Sequence, residues 1–273
     1  MPELPEIAVI AKQMNDELEN KTISKAEILQ PKILNVSTPQ FGKMISGKSV
    51  ARVFGRGKWL FIELKPDNFL LINLGMGADL LYFEKSQKLP DKYQFKLIFL
   101  DGSGFTARFW WFGYVHVVQS KKLGEHKMTS LLGKSPIDAD FTLDYFRSLV
   151  HGKKGAVKSF LLDQKNVAGI GNVYVQDILF KARLHPYRRL SSLSQKEIDR
   201  LYDAITDVLC LSIKLGGLAY EKDFYGHRGR FAADKFLVGY REGKPCPDCG
   251  SIVEKIKAGS TSSYVCPKCQ KLD

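Results

Sequence analysis

The chain has 273 residues, of which 44% are hydrophobic, enough for two domains or one large one with a sizeable core. Its formal net charge of +12 points to a polyanionic partner, because counterions released from phosphates favour binding. No apolar run approaches the ~20 residues of a membrane span. The opening Pro2-Glu3-Leu4-Pro5-Glu6 is too acidic and polar for a secretory signal, so an intracellular, reducing setting is expected.

In chain order, Ile7, Ile10, Ala11, Met14 and Leu18 recur at helical spacing, which predicts a helix over 3–18. The next hundred residues break into short β-branched or aromatic runs: 22–30, 49–55, 58–64, 69–74, 79–84, 93–100, 105–112 and 114–119. Turn signals such as Lys65-Pro66-Asp67-Asn68 and Asp101-Gly102 separate them, and many short strands of this kind predict a sandwich or barrel. Phe109, Trp110, Trp111 and Phe112 are consecutive, and on a strand they cannot all face inward. Around 120–140, Lys121, Lys122, Gly124, Gly133 and Pro136 mark a polar linker.

Helices are then predicted at 142–150, 157–163, 173–182 and 194–215. The last is the clearest. Ser194 and Glu197 form a capping box, Gly216-Gly217 is the stop, and Ile198, Leu201, Ile205, Val208 and Leu209 make one apolar face. Cys210, alone within that apolar stretch, is expected to be a small core residue. Residues 217–235 show no period and read as a loop.

The other four cysteines form two pairs, Cys246/Cys249 and Cys266/Cys269, with sixteen residues between Cys249 and Cys266. In a reducing compartment this C-x2-C-x16-C-x2-C spacing reads as one zinc site. Four thiolates leave no open position, so the ion is expected to be structural. Between the pairs, Ile252–Val265 reads as a β-hairpin with a small polar tip, suited to a groove or a phosphate, or simply solvated. At the other end, removal of Met1 would expose the secondary amine of Pro2. A fair fraction of an α-amine with pKa ~7.8 is neutral at cellular pH. Attack on a sugar C1′ would give an iminium directly. Glu3 and Glu6 lie beside it for proton transfer. Proline near a helix start also has a purely conformational use.

These pieces together resemble the formamidopyrimidine-DNA glycosylase and endonuclease VIII family. The resemblance rests on Met1-Pro2-Glu3-Leu4-Pro5-Glu6, on Gly55-Arg56-Gly57-Lys58, on Asp163–Tyr174 (DQKNVAGIGNVY), and on the terminal cysteines, in matching order over nearly the whole chain. It implies an α+β protein in three parts: an N-terminal helix and β-sandwich catalytic domain (1–131), a helical helix–two-turn–helix domain (132–240) and a zinc finger (241–273), with damaged double-stranded DNA in the cleft between the domains. The family flips the damaged nucleotide into a pocket. By resemblance Pro2 attacks C1′ and expels the base, Glu3 protonates the opening sugar ring, and elimination cuts the strand on both sides of the lesion. Lys58 lies near the lesion and its phosphate, and Glu6 holds the amino terminus and base pocket. Met76, Trp110 and Phe112 fill the hole left by the base. Lys158, Asn172 and Tyr240 contact the DNA, and Cys246, Cys249, Cys266 and Cys269 hold zinc. The resemblance further implies a cytoplasmic, nucleoid-associated monomer.

Several positions depart from the members specific for 8-oxoguanine. Trp110 stands where an arginine reads the cytosine opposite the lesion, and tryptophan has a single donor. The phosphate-clamping arginine of the hairpin falls at Ser260 or Thr261, with Lys257 as a substitute cation. Leu218-Ala219-Tyr220 replaces small hydroxyl residues in the lesion-capping loop, and Gly239-Tyr240 inverts the usual order. An altered lesion range and opposite-base preference are therefore expected. The alternatives are a lesion-binding protein of the same fold with little activity, and a zinc-ribbon transcription or translation factor. The second accounts for the cysteines but not for the amino terminus.

Overall fold

The computed structural model describes residues 1–258 and 261–272 and divides into two units, residues 1–131 with 216–230, and residues 132–215 with 231–273. In the first unit, helix α1 (Leu4–Leu18) buries Leu4, Ile7, Ile10, Ala11, Met14 and Leu18, the predicted face. Eight strands follow: β1 (Ile23–Ile28), β2 (Ser49–Arg56), β3 (Trp59–Lys65), β4 (Asn68–Asn73), β5 (Asp79–Phe83), β6 (Phe95–Phe99), β7 (Gly104–Arg108) and β8 (Tyr114–Gln119). They form two antiparallel four-stranded sheets, in the orders β1-β6-β7-β5 and β2-β3-β4-β8. One apolar cluster joins Leu60, Ile62, Leu70 and Ile72 of the second sheet to Phe95, Leu97, Phe105 and Ala107 of the first. This is the expected β-sandwich. Helix α1 lies close on β2: a Cβ added to Gly55 would sit 2.8 Å from Ile7 Cγ2.

Strand β4 is buried along its whole length, so its outer face is covered as well. Trp59 and His116, on the strands beside β4, pack there against His126 from the following segment. His116 Nδ1 and His126 Nε2 are 2.9 Å apart, and His126 Nδ1 bonds Thr129 Oγ1 at 2.8 Å. Burial lowers both imidazole pKa values, that of His116 to about 4.

Two elements of this unit differ from expectation. A helix α2 (Thr38–Ile45), not predicted, buries Phe41 and Ile45 one turn apart behind Pro39 in its first turn. Strand β7 stops at Arg108 instead of 112. There the Gln94 side chain takes over the ladder, accepting from the Phe109 N–H (2.8 Å) and donating to the Phe109 carbonyl (3.1 Å).

The second unit carries α3 (Leu143–Val150), α4 (Val157–Leu162), α5 (Tyr174–Lys181), α6 (Gln195–Lys214) and the hairpin β9 (Glu254–Ala258) and β10 (Thr261–Val265). The Ser194–Glu197 capping box starts α6, and Gly216 and Gly217, both at positive φ, follow its end. Tyr174 of α5 bonds Ser212 of α6 through their hydroxyls at 2.6 Å. Cys210 is exposed, not a core residue. At ~100° per residue it lies about 180° around the helix from Leu201, while Leu201, Ile205, Val208, Leu209 and Ser212 define the buried side. Apolar neighbours in sequence do not put a residue on the apolar face.

Candidate active site and zinc centre

The chain begins inside the first unit. Pro2 is buried, and Glu3 and Glu6 are each 3% exposed. Glu3 is the N-cap of α1 and Glu6 its third residue, so the helix start brings both carboxylates to one end. Glu6 Oε2 accepts from the Glu3 N–H (2.9 Å), and Glu6 Oε1 accepts from the Leu218 N–H (3.1 Å). A single buried carboxylate therefore ties the head of the chain to the segment after α6. Gly217 is required beside it: its φ is +86°, and a Cβ there would approach Glu6 Oε1 to 3.0 Å.

That segment, 216–230, is anchored again by Gln13. Its amide donates to Asp223 Oδ2 (2.9 Å) and accepts from the Phe224 N–H (2.9 Å), while the buried Phe224 accepts from the Tyr82 N–H at 2.8 Å. Lys222 Nζ pairs with Asp79 Oδ2 at 3.2 Å, and with Arg108 these residues line a cavity of about 390 Å³.

Lys58 lies in a two-residue turn. Arg56 pairs with Trp59 across β2 and β3, leaving Gly57 (φ +59°) and Lys58 as the loop, so the lysine sits at the tip of a hairpin and not within a strand. The half-buried Lys58 accepts on its carbonyl from Asn73 Nδ2 at 2.9 Å, and Asn73 Oδ1 accepts from the Gly75 N–H at 3.1 Å. Asn73 thus couples the lysine turn to Gly75-Met76-Gly77.

Met76 and the aromatic run form one surface. The Met76 N–H donates to the Trp111 carbonyl at 2.9 Å, and Phe112 takes φ +57°, a strained value for a phenylalanine. Phe109 is buried, whereas Met76 is 44%, Trp110 63%, Trp111 61% and Phe112 66% exposed. The Arg108 guanidinium lies 5.4 Å from the Trp110 ring centroid, and that ring covers Gly77.

In the second unit, Lys158 is 3% exposed. Its ammonium donates to Thr261 Oγ1 (2.9 Å), the Ser262 carbonyl (2.9 Å) and Ser263 Oγ (2.8 Å), all on β10, and burial lowers its pKa to about 8. Gln176 fastens the same strand, donating to the Ser262 carbonyl and accepting from the Tyr264 N–H, and it also donates to Asn172 Oδ1 at 3.1 Å. Thr261 opens β10, while Ser260, the other candidate at the hairpin tip, lies outside the described residues. Lys257 is exposed, and its carbonyl accepts from the Tyr187 hydroxyl. Tyr240, at φ +59° and 52% exposed, packs its ring 5.1 Å from that of Tyr264. The turn before α5 is held by Gln164, which donates to the Leu162 and Ile170 carbonyls and accepts from the Gly169 N–H. The sequence reading missed two groups. Asp177, buried and pushed up by desolvation, accepts from the N–H groups of Leu237, Val238 and Gly239 at 2.8–2.9 Å. Glu221 lies within 3.8 Å of the α-amino nitrogen. Neither belongs to a recognisable motif.

The four cysteine sulfurs lie within 4.8 Å of one another, with Cys246–Cys269 at 3.9 Å and Cys249–Cys266 at 3.4 Å. Tetrahedral thiolates ~2.3 Å from zinc stand about 3.8 Å apart, so the arrangement fits one structural zinc ion with all four positions filled. Phe180 and Val238 share a small core with Cys246, Val253 and Cys266, which seats the finger on α5.

The fold and these centres define a DNA-repair enzyme class, and comparison with known proteins agrees. Residues 1–110 match the formamidopyrimidine-DNA glycosylase N-terminal domain, residues 132–223 the formamidopyrimidine-DNA glycosylase H2TH domain, and residues 243–272 a zinc finger found in FPG and IleRS. A formamidopyrimidine-DNA glycosylase of Pelotomaculum thermopropionicum is 34% identical over 278 residues, and one of Mycoplasma mobile 34% over 280, each covering 100% of both chains. Among solved structures, Lactococcus lactis Fpg (MutM) with N7-benzyl-Fapy-dG DNA superposes with a TM-score of 0.89 at 27% identity, covering 99% of this chain and 100% of that one. The same protein with abasic-site DNA gives the same values. The chain belongs to the formamidopyrimidine-DNA glycosylase family, DNA glycosylases and AP lyases of base excision repair.

Proposed function

We propose that this enzyme excises oxidised, ring-opened or otherwise modified bases from double-stranded DNA and nicks the abasic strand by β/δ-elimination through a Schiff base on Pro2. The supporting observation is the head of the chain, where Pro2 is buried with Glu3 and Glu6. Once Met1 is removed, the secondary amine attacks C1′, the base departs, and Glu3 protonates the ring oxygen as the sugar opens to an iminium. That iminium is the electron sink for successive eliminations of the 3′ and 5′ phosphates. Glu6 fixes the amine's surroundings through its two backbone hydrogen bonds. Lys58, on its hairpin tip, takes the phosphate beside the lesion.

Met76, Trp110 and Phe112 occupy the space of the extruded nucleotide, as apolar wedges do. Asn172 and Tyr240 grip the backbone, and Lys158 acts through the hairpin that it anchors. Trp110 stacks on the opposing base without reading it, which widens the opposite-base range and moves the lesion preference away from 8-oxoguanine paired with cytosine. The enzyme acts as a monomer in the cytoplasm, on the nucleoid.

The test is a panel of duplexes carrying ring-opened purines, oxidised pyrimidines or 8-oxoguanine opposite each of the four bases, read for base release and strand scission. Pro2→Gly is expected to lose base excision, and 8-oxoguanine opposite cytosine is expected not to be the best substrate. Strong selectivity for that pair contradicts the specificity reading. Wild-type excision by Pro2→Gly contradicts the chemistry.

A further inference from the structure

Between the two anchors of the 216–230 segment, at Glu6 and at Gln13, lies Glu221. Its N–H donates to the Leu218 carbonyl at 3.1 Å, closing a turn that sends the side chain toward the start of the chain. The carboxylate is 10% exposed, and Oε1 stands 3.8 Å from the amino nitrogen of Met1. The neighbouring cation, Lys222, is engaged by Asp79. The charges that face Glu221 are thus the α-amine, Glu3 and Asp79.

We infer that Glu221 is the proton acceptor for the α-amine, the group that frees the lone pair of Pro2 for attack. This rests on the Pro2 nucleophile proposed above. Removal of Met1 moves the amine one residue inward, no farther than the ~3.8 Å that separates consecutive Cα atoms, within the swing of a side chain with three rotatable bonds. In the transfer an N–H bond of the Pro2 ammonium breaks and an O–H bond forms on Glu221. The freed pair then makes the N–C1′ bond as the bond from C1′ to the base breaks. The departing base keeps that bonding pair and takes a proton from water.

An ordinary glutamic acid, at ~4.3, lies about 3.5 units below an α-amine, a poor match for such a transfer. Burial, with Asp79 and Glu3 adding like charge, holds Glu221 above the usual carboxylate range, against the pull of the amine itself. The gap narrows accordingly. Glu3 remains available for the sugar oxygen, so the two carboxyl groups divide the two proton transfers.

The experiment uses full-length enzyme with Met1 removal verified by intact mass. Single-turnover borohydride trapping on an abasic duplex is followed at pH 6, 7.5 and 9.5 for wild type, Glu221→Gln, Glu221→Asp and Pro2→Gly, alongside duplex affinity and melting. Glu221→Gln is expected to trap about tenfold more slowly at pH 6 and within about twofold of wild type at pH 9.5, where the amine is already free. Glu221→Asp falls between, and affinity stays within about twofold. A Glu221→Gln effect that is the same at every pH, or a faster rate at pH 6, overturns the assignment. A reduced adduct carried on a lysine side chain, in place of the Pro2 nitrogen, instead overturns the nucleophile reading on which it rests.

Discussion

The head of α1 and the turn at 109–113 belong to the same unit but solve opposite problems. At the first, two carboxylates are driven almost wholly out of solvent, and Glu6 satisfies two backbone N–H groups at once. At the second, Trp110, Trp111 and Phe112 are held out in solvent, on a backbone that strains Phe112 and is closed by Met76. Buried charge needs every partner in place, so the first region tolerates almost no change. Exposed aromatic surface has little to lose on substitution, so the second can vary without unfolding the protein. The contrast separates a buried, fully bonded carboxylate pair from a displayed apolar surface.

Substitutions can break that contrast in graded fashion. The largest effect is expected outside both regions. Cys249→Ser leaves three thiolates for zinc, and the finger, with no core large enough to fold alone, comes apart. Measured zinc content should fall below one ion per chain and duplex affinity by at least tenfold, and full affinity in a metal-free variant would contradict the structural role.

At the buried end, Glu6→Ala orphans the Glu3 and Leu218 N–H groups, at roughly 1–3 kcal/mol each. Denaturant unfolding should show a loss of about 3 kcal/mol, and a loss below about 0.5 kcal/mol would show that Glu6 fixes nothing. On the displayed surface the opposite is expected. Trp110→Arg should leave stability within about 0.5 kcal/mol. It should raise discrimination for cytosine opposite the lesion by about 1–3 kcal/mol, read as kcat/KM ratios across the four opposing bases. Unchanged ratios would mean that Trp110 does not face the opposing base.

The last effect is in pH dependence. His116 and His126 have folded pKa values below the unfolded value of ~6.5, so the unfolded chain binds more protons as the solution is acidified. Their contribution to stability is present above ~6.5 and is lost as pH falls toward about 4, the value for His116. Replacing both with hydrophobic residues should flatten the stability profile over that window, and an unchanged slope would place the acid sensitivity elsewhere.

What could be read from the sequence was what is local. The capping box and double glycine bound α6, the cysteine spacing marked the metal, and short β-branched or aromatic runs between turn signals marked the sandwich strands. Helix α2 escaped because eight residues carry too little periodicity, and the end of β7 because a glutamine fifteen residues earlier terminates it. Cys210 was misplaced because hydropathy of neighbours says nothing about angular position on a helix. Within the site, the motif residues were named from the family resemblance and only the zinc cysteines from spacing, but the link between Glu6 and Leu218 spans 212 residues and no motif encodes it. Glu221 lies in a segment without period or motif, so its approach to the amine is a property of the fold alone. Lys158 shows a further limit: a lysine's charge is legible, whereas its burial against three hairpin oxygens is not.

The most direct measurement is to reduce the complex formed with an abasic duplex by borohydride, digest the adduct and locate the crosslinked residue by mass spectrometry. The account predicts one conjugated peptide, beginning at Pro2 with its nitrogen joined to the sugar. A crosslink on a lysine side chain, or Met1 still attached in the conjugated protein, would contradict it.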